Sequence, residues 1–333
     1  MHRPKQLILC LAAMLMLLCG CSSEEATYTD FFAMDTSMRF TLYSSAGLSA
    51  QKEILRLESL LSRTREDSLI SALNRGESVE NRELANLLRQ SMEYTAATDG
   101  AFDVTIAPVV SAWGFTADSY RVPAADELTA LLSLVGSERV SIDSDTVTLA
   151  ERTMIDLGGI AKGYASDRVA AIWEEEGVEH GLAALGGNIY CRGTKADGSP
   201  WRVSVQDPSD PTAYVGILSL HDAFAVTSGA YERNFTENGK FYHHIIDPAT
   251  GYPAESGLCS VTVVSHESGT LCDALSTACY VLGAERSLAL WREMGGFDLV
   301  LVTEDGRVLI TEGLEGSFDS SSAANPYVYE IIH

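Results

Sequence analysis

Residues 156–164 read Asp-Leu-Gly-Gly-Ile-Ala-Lys-Gly-Tyr and join an apolar stretch to a helical one. Met154-Ile155 predicts a strand before this segment, and Tyr164–Glu176 predicts a helix after it. Glycines at such a junction let a ligand approach the backbone, the helix N-terminus offers N–H groups to an anion, and Lys162 adds a positive charge. The spacing differs from that of a P-loop. Taken alone, the segment predicts either an anion-binding turn or a tight strand–helix contact.

On both sides of this junction the pattern mixes helices and strands without regular alternation. Before it, apolar spacing predicts a strand, three helices and a group of short strands, at Phe31–Tyr43, Ser49–Ser62, Asp67–Asn74, Asn81–Thr98 and Glu138–Ile155. After it come strands within residues 180–264, helices at Cys272–Leu282 and Ser287–Met294, and a hairpin at Leu299–Thr311. Strict β-α-β alternation is missing, so an α+β fold is predicted rather than a doubly wound sheet.

The N-terminus has the pattern of an export signal. A basic start is followed by an uncharged apolar run, Leu7–Leu18, which is short for a membrane span but suits a signal peptide. The run ends in Leu-Cys-Gly-Cys, which resembles a bacterial lipobox with Cys21 as the lipidated residue. We therefore expect a signal peptide at 1–20, a lipidated cysteine and tether at 21–30, and one domain at 31–333. An ordinary signal peptide or a membrane anchor is the alternative. The predicted location is extracytoplasmic and lipid-anchored, on the plasma membrane's outer face or the periplasmic side.

The charge balance restricts the partners of this chain. It holds 46 Asp and Glu against 23 Lys and Arg, a net charge of −23. Such a surface excludes general binding to nucleic acid or to anionic lipid. A phosphate-bearing ligand would need a metal ion or local backbone dipoles. The cysteines after Cys21 match no disulfide or zinc spacing, so neither is predicted.

Three further segments carry groups suited to chemistry. Asp273 and Thr277 are four residues apart on a predicted helix, so they share a face and could offer two oxygens to Mg²⁺. The alternative is a helix cap and a back-bonded hydroxyl. His243 and His244 precede an Asp-Pro turn and should point to opposite faces. The third segment, Asp99–Thr105, follows a helix, and its alternative role is a helix stop before a strand.

In this order, these segments resemble the ApbE-type FAD:protein FMN transferases. The matching stretches run from about residue 31 to residue 311 and include Met34-Asp35-Thr36, Leu185–Asn188, Gln206-Asp207-Pro208 and Thr227-Ser228-Gly229. The resemblance implies one large α+β domain with mixed, largely antiparallel sheets, flanking helices and a ligand cleft between lobes. It also implies a reaction in which FMN passes from FAD to a Ser or Thr side chain of an extracytoplasmic redox protein, with release of AMP.

The resemblance also assigns site residues. It implies that Mg²⁺ binds the Gly159 carbonyl, Asp273 and Thr277, that Lys162 assists, and that His244 is the base, with Asp273 also catalytic through the metal. Contacts with FAD are implied for Met34, Ala101, Phe102, Asp103, Asp156 and Ile246. A metal-bound pyrophosphate would reconcile an acidic protein with an anionic ligand.

The chain departs from the family pattern at three positions. Thr64 stands where many members have a stacking aromatic residue, Asp35 where Gly is usual, and Ser276 where some carry a second carboxylate. The last difference implies a single metal ion. Two alternatives to the transferase are open: a Mg²⁺-dependent enzyme that splits FAD into FMN and AMP, and a flavin-binding lipoprotein without turnover.

Overall fold

The computed structural model describes residues 25–116, 119–321 and 323–333. The signal peptide and the lipidated Cys21 lie outside these residues and stay predictions. No helix in the described ranges has the length and apolar character needed to cross a membrane.

The described part of the chain holds seven α-helices, and the fourth and fifth of them were not predicted from the sequence. They are α1 (Ser49–Leu61), α2 (Leu69–Asn74), α3 (Arg82–Ala97), α4 (Ala107–Trp113), α5 (Ala125–Leu132), α6 (Ala161–Glu175) and α7 (Gly269–Met294). Side chains cap three of the starts: Ser68 accepts from the N–H of Ser71 before α2, Asn81 from that of Leu84 before α3, and Ser268 from that of Leu271 before α7. Helix α7 breaks at Gly283, where φ is 77° and ψ is 172°. This break confirms the prediction of two helical segments.

The strands are short and most are joined by tight turns. In chain order they are β1 (Thr27–Ala33), β2 (Thr36–Leu42), β3 (Val79–Glu80), β4 (Val140–Asp143), β5 (Thr146–Leu149), β6 (Gly181–Leu185), β7 (Asn188–Arg192), β8 (Trp201–Asp207), β9 (Asp210–Leu220), β10 (Ala223–Gly229), β11 (Asn234–Glu237), β12 (Lys240–His243), β13 (Leu258–Ser265), β14 (Asp298–Thr303), β15 (Arg307–Thr311), β16 (Phe318–Asp319) and β17 (Val328–Ile332).

One large sheet organises the molecule. Its strand order is β1-β2-β6-β7-β10-β13-β14-β15-β17, and its pairs are antiparallel except β15 with β17. Smaller sheets are β16-β9-β8, β3-β5-β4 and β11-β12. The α+β fold with largely antiparallel sheets is confirmed.

Both faces of the large sheet are covered. Helices α1, α6 and α7 bury residues such as Ile54, Val169 and Leu275 against one face. The β8-β9-β16 sheet buries Trp201 and Val215 against the other. A third cluster surrounds Trp113 at the end of α4. The large sheet is therefore the central layer, with helices on one side and a small sheet on the other.

The strand predicted at Phe31–Tyr43 is wrong, because the chain turns back inside it. Ala33 pairs with Thr36 across a two-residue turn, Met34-Asp35, and both turn residues have positive φ, 49° and 60°. Such a turn favours Gly or a short polar residue in its second position, so Asp35 can replace the family's usual Gly. Residues 27–30, predicted as tether, belong to β1.

The strand predicted at Met154-Ile155 is also absent from the structure. A side chain satisfies this backbone instead: Asn74 accepts from the Ile155 N–H at 2.8 Å and donates to its carbonyl at 3.0 Å. The next N–H, that of Asp156, donates to the Val104 carbonyl at 2.8 Å. The glycine-rich segment therefore joins a bonded loop, rather than a strand, to α6.

Candidate functional site

The crossing of α6 and α7 places the glycine-rich segment against Asp273. A Cβ on Gly163 of α6 would lie 2.3 Å from the Gly269 carbonyl oxygen and 2.5 Å from Asp273 Cβ. Only glycine permits an approach this close. The Gly163 N–H donates to Asp273 Oδ2 at 2.8 Å. The crossing thus fixes this carboxylate against the first turn of α6.

Asp167 of α6 holds the start of α7. It accepts from the N–H groups of Gly269 at 2.5 Å and Thr270 at 3.1 Å, and from the hydroxyls of Ser268 at 2.9 Å and Thr270 at 2.5 Å. The positive end of the helix dipole favours a carboxylate there. Burial raises the pKa of Asp167, and these donors act against the rise. Asp167 therefore positions the helix that carries Asp273.

Asp273 and Thr277 lie one turn apart on α7, on a shared face. The interpretation as a cap is wrong, because α7 begins at Gly269 with Ser268 as its N-cap. The back-bonded hydroxyl is that of Ser276, which donates to the Asp273 carbonyl at 2.9 Å. Within the described residues, no hydrogen bond reaches Asp273 Oδ1. This oxygen is free for a ligand.

Gly159 lies opposite Thr277. A Cβ on Gly159 would lie 3.3 Å from the Phe102 ring and 3.5 Å from Thr277 Oγ1. Ser228 at the end of β10 lies 3.5 Å from the same hydroxyl. The structure therefore brings Gly159 and Thr277 together beside Asp273 from segments far apart in the chain, and their role as metal ligands stays a prediction.

The junction offers a carboxylate and a hydroxyl, and the backbone of Gly159 lies next to them. Mg²⁺ favours such oxygen ligands and completes its octahedron with phosphate and water. Over residues 25–116, 119–321 and 323–333 the structure shows no group of three His, Cys, Asp or Glu that could hold a metal. The residues present therefore fit a hard cation shared with a phosphate better than a metal held by the protein alone.

Lys162 is the cation of this junction. It lies in the first turn of α6, half-buried, and forms no ion pair with any residue that the structure describes. Glu232, which follows β10, interacts with it. Burial raises the pKa of Glu232, the charge of Lys162 acts against the rise, and the charge of Asp273 adds to it. Lys162 is thus available to an anionic ligand in a region that also holds two carboxylates.

Asp156 is occupied by protein partners. It forms a salt bridge with Arg63 at 2.7 Å, and the two side chains are only 20% and 13% exposed. Its other oxygen accepts from the Gly158 N–H at 2.8 Å. Arg63 also donates to the Ser111 hydroxyl at 2.5 Å. Asp156 therefore stabilises the glycine-rich segment, and its contact with FAD stays a prediction.

The segment after α3 leads into a 3₁₀ turn and α4 rather than into a strand. Asp103 is buried and accepts from the N–H of Thr105 at 2.8 Å and from its hydroxyl at 2.6 Å. Burial raises the pKa of Asp103, and these two donors act against the rise. Ala101 and Phe102 are buried as well. Of the three predicted contacts, the Phe102 ring reaches Gly159, while Asp103 fixes the turn.

His244 follows β12, and no residue in the described ranges forms a hydrogen bond with its Nε2. Its Nδ1 lies 3.2 Å from the Arg233 carbonyl oxygen. A carbonyl only accepts, so Nδ1 holds the proton and the lone pair of Nε2 is available. The ring keeps part of its surface open to solvent, yet surrounding protein lowers the pKa of His244 to about 4, mainly by desolvation. The ring is therefore neutral at pH 7.

His243 has a structural role. It is buried, its Nε2 donates to the Ala254 carbonyl at 3.1 Å, and its Nδ1 accepts from the Ile245 N–H at 3.3 Å. Burial lowers the pKa of His243. Both ring nitrogens of His243 are hydrogen-bonded to the backbone, so the family resemblance that assigns the base to His244 agrees with the structure in giving His243 no role at the site.

The turn at Met34 connects the large sheet to the histidine. The Met34 N–H donates to Glu58 Oε1 at 2.9 Å, and Asp35 pairs with Arg233 at 2.5 Å. The carbonyl of Arg233 in turn accepts from His244. The structure thus places Met34 on the histidine side of the site rather than at the helix crossing.

Ile246 lies beyond the histidine. It pairs with Pro253 in an isolated bridge, and its buried side chain packs in the cluster around Trp113. The Trp113 Nε1–H donates to the Gly251 carbonyl at 2.8 Å and holds this loop in place. The side chain of Ile246 is used for packing, so contact with FAD through its backbone stays a prediction.

Sequence reasoning missed Ser228, Glu232, Arg233 and Arg63. The first three had a signal, since Tyr231-Glu232-Arg233 follows the Thr-Ser-Gly stretch and places two charges beside a hydroxyl. No sequence signal pointed to Arg63, because its ion-pair partner Asp156 is distant in the chain.

Comparisons with known proteins agree with this geometry. The family model described as ApbE family matches residues 34–301. The FAD:protein FMN transferase of Treponema pallidum (strain Nichols) is 36% identical over 278 residues, which are 77% of this chain and 76% of that protein. The FAD:protein FMN transferase of Vibrio cholerae serotype O1 is 32% identical over 313 residues, 88% of this chain and 93% of that protein.

The fold is shared with a solved structure. The crystal structure of the ApbE protein from Thermotoga maritima matches with a TM-score of 0.82 at 33% identity, over 88% of this chain and 99% of that chain. The resemblance inferred from the motifs is thereby confirmed.

Proposed function

Because this chain belongs to the ApbE family, we propose that it is a FAD:protein FMN transferase. It moves FMN from FAD to a Ser or Thr hydroxyl of an extracytoplasmic redox protein and releases AMP. One observation carries the proposal: the α6–α7 crossing joins the Asp273 carboxylate, the Thr277 hydroxyl and the Gly159 backbone beside Lys162, which forms no ion pair with the residues described. This set suits a pyrophosphate bound through a divalent cation.

The helix crossing binds the phosphates. Gly159, Asp273 and Thr277 would hold Mg²⁺, and Lys162 would contact a phosphate oxygen. Bound Mg²⁺ supplies charge neutralisation of the pyrophosphate and orients it for in-line attack. Desolvation strengthens these interactions because part of the junction is buried. The acidic chain thus binds an anion at one local site.

The loop that follows β12, residues 244–257, is called the histidine loop, and its His244 accepts the proton. The acceptor hydroxyl oxygen attacks the phosphorus of the FMN half, and the bond from that phosphorus to the bridging oxygen breaks. AMP leaves with that oxygen, and a phosphoester joins the flavin to the acceptor. Nε2 of His244 takes the hydroxyl proton, since Nδ1 is committed to the Arg233 carbonyl.

Mass spectrometry tests the proposal. A small acceptor domain with the family's Ser/Thr flavinylation motif is incubated with residues 22–333, FAD and Mg²⁺, with and without EDTA. We expect the acceptor to gain the mass of FMN minus water, AMP to appear in equal amount, and EDTA to prevent both. Release of FMN and AMP without an adduct would favour hydrolysis, and intact bound FAD would favour a binding protein.

The N-terminal sequence supports an extracytoplasmic location for this activity. We propose that residues 1–20 are removed and that Cys21 carries a lipid that anchors the protein. The support is the lipobox-like sequence and the uncharged run before it. Cys21→Ser should release the protein from the membrane fraction, whereas Cys19→Ser should not. Equal membrane association of both variants would overturn the anchor.

A further inference from the structure

A cavity of about 490 Å³ lies on the sheet face opposite the helices. Its floor is the large sheet, through Leu182, Ile189 and Ala225, and one wall is residues 202–206 of β8. Its rim is formed by Gly186-Gly187 and Glu232. The volume lies within the range of ligand-binding pockets. None of the roles proposed above uses this cavity.

The wall is the edge of a strand, not its face. Consecutive residues of a strand point to opposite faces, yet five consecutive residues of β8 line the cavity. Among the described residues β8 pairs with β9 alone, and it ends the β16-β9-β8 sheet. The cavity therefore runs along an edge that has no second strand.

The register shows which backbone groups this edge presents. The Ser219 N–H of β9 donates to the Ser317 carbonyl at 2.8 Å, away from β8. Arg202 lies opposite Ser219, so the pair is not hydrogen-bonded and Arg202 points its own N–H and C=O to the free edge. Ser204, two residues on, does the same before the bulge after Val205. Two donors and two acceptors thus face the cavity.

Such an edge is a template for an extended peptide, which gains main-chain hydrogen bonds by adding a strand. No proline interrupts residues 201–207. At about 3.3 Å per residue, a segment of four residues would span about 13 Å along this wall.

The rim connects the cavity with the phosphate site. A Cβ on Gly187 would lie 2.9 Å from the Thr227 carbonyl oxygen and 3.3 Å from Glu232 Oε1. Because glycine has no side chain, the space between Gly187 and Glu232 stays open. Thr227 lines the cavity floor, while the next residue, Ser228, lies on the other face beside Thr277. The rim therefore lies close to the phosphate side, because the charge of Glu232 interacts with those of Lys162 and Asp273.

We propose that an extended segment of the acceptor protein binds this cavity as an added strand on β8. Its main chain pairs with Arg202 and Ser204, and its Ser or Thr hydroxyl emerges between Gly187 and Glu232. This inference rests on the proposed transferase function and assigns the surface that recognises its protein substrate.

Ser204→Pro with Ser204→Ala as its matched control tests the proposal. Proline removes the edge N–H without removing a β8–β9 bond, whereas alanine removes only the hydroxyl. With the acceptor domain described above, we expect Ser204→Pro to raise the KM for the acceptor about tenfold, and Ser204→Ala to leave it within about twofold. The affinity for FAD should match the wild type in both.

Equal KM values for the proline and alanine variants would overturn the docking proposal alone, because the wild type would still transfer FMN. A weaker affinity for FAD in the proline variant would overturn it too and assign the cavity to the flavin. If the wild type transfers nothing, the transferase function fails and this inference with it.

Hydrogen exchange followed by mass spectrometry gives a second measurement that needs no variant. The amides of Arg202 and Ser204 should exchange rapidly in the free protein and slow when the acceptor domain is added with FAD. Slow exchange of these amides in the absence of the acceptor, or exchange that the acceptor does not slow, would contradict the proposal.

Discussion

The helix crossing and the histidine loop differ in how they are held. At the crossing, Gly163 touches α7 directly and Asp167 accepts hydrogen bonds from its first residues, with these groups largely buried. The His244 ring bonds the carbonyl of Arg233, and Arg233 is held by an ion pair with Asp35 whose side chains are 45% and 76% exposed, although Trp113 and His243 bond the rest of the loop. Surface ion pairs contribute little stability. Changes at the crossing should therefore affect folding and phosphate binding, and changes at His244 mainly the rate.

The largest effect is expected for Asp273→Asn. Asparagine still offers an oxygen to the Gly163 N–H but removes the charge that would hold the metal. We expect kcat/KM for FAD to fall about 1,000-fold, about 4 kcal/mol, in the mass-spectrometric transfer assay. Glu175→Gln, which removes an exposed charge from α6, is the control and should keep full activity. A similar loss in the control would mean that general charge, not this carboxylate, matters.

Gly163→Ala should cause the largest loss of stability. Its Cβ would meet backbone at 2.3 Å, so the two helices must separate. We expect the free energy of unfolding in urea to fall by about 3 kcal/mol. Gly269→Ala should cost less, because its nearest atoms lie at 2.9 Å.

Gly316→Ala is the matched control for these helix variants, since a Cβ there would meet nothing within 4 Å. It should unfold like the wild type. A tolerated Gly163→Ala would mean that the crossing is not tightly packed and would remove the contrast between the two regions.

The pH dependence of stability should reveal the low pKa of His244. The pKa is about 4 in the folded protein and about 6.5 when unfolded, so the unfolded state binds more protons between these values. The contribution of the neutral His244 ring to the free energy of unfolding is therefore fully present above pH 6.5 and is lost as pH falls towards 4. Urea unfolding at pH 7 and pH 4.5 should show a loss about 2 kcal/mol larger in the wild type than in His244→Asn. Equal losses would show that the histidine is not desolvated.

A smaller effect is expected for Asp167→Asn. The amide keeps some acceptor capacity but loses the favourable interaction of the carboxylate with the helix dipole. We expect the free energy of unfolding to decrease by about 1 kcal/mol and transfer activity to fall only slightly. An unchanged unfolding midpoint would show that the stability of α7 does not depend on the hydrogen bonds that Asp167 accepts from its first residues.

The sequence predicted what depends on local spacing. Asp273 and Thr277 share a helix face because they are four residues apart, and the hairpin at Asp305-Gly306 is confirmed because Gly favours such a turn. The α+β fold followed from the lack of alternation between helices and strands.

Features that depend on distant contacts, or on a turn of unusual composition, were not predicted from the sequence. Met34-Asp35 is an uncommon turn pair, so its hairpin was predicted as one strand. The strand at Met154-Ile155 is absent because Asn74 bonds that backbone from another element. The free edge of β8 depends on which strands pair, which periodicity alone does not determine.

The central claim is that the helix crossing binds the metal-bound pyrophosphate while His244 accepts the proton. Its most direct test is the Mg²⁺-dependent affinity for FAD of Asp273→Asn and His244→Asn, measured with kcat for transfer at saturating FAD. In His244→Asn the amide N–H can still donate to the Arg233 carbonyl, but Nε2 is gone. The account predicts that Asp273→Asn loses the Mg²⁺-dependent affinity, and that His244→Asn keeps it with kcat about 100-fold lower. Loss of FAD binding in His244→Asn, or its retention in Asp273→Asn, would contradict the account.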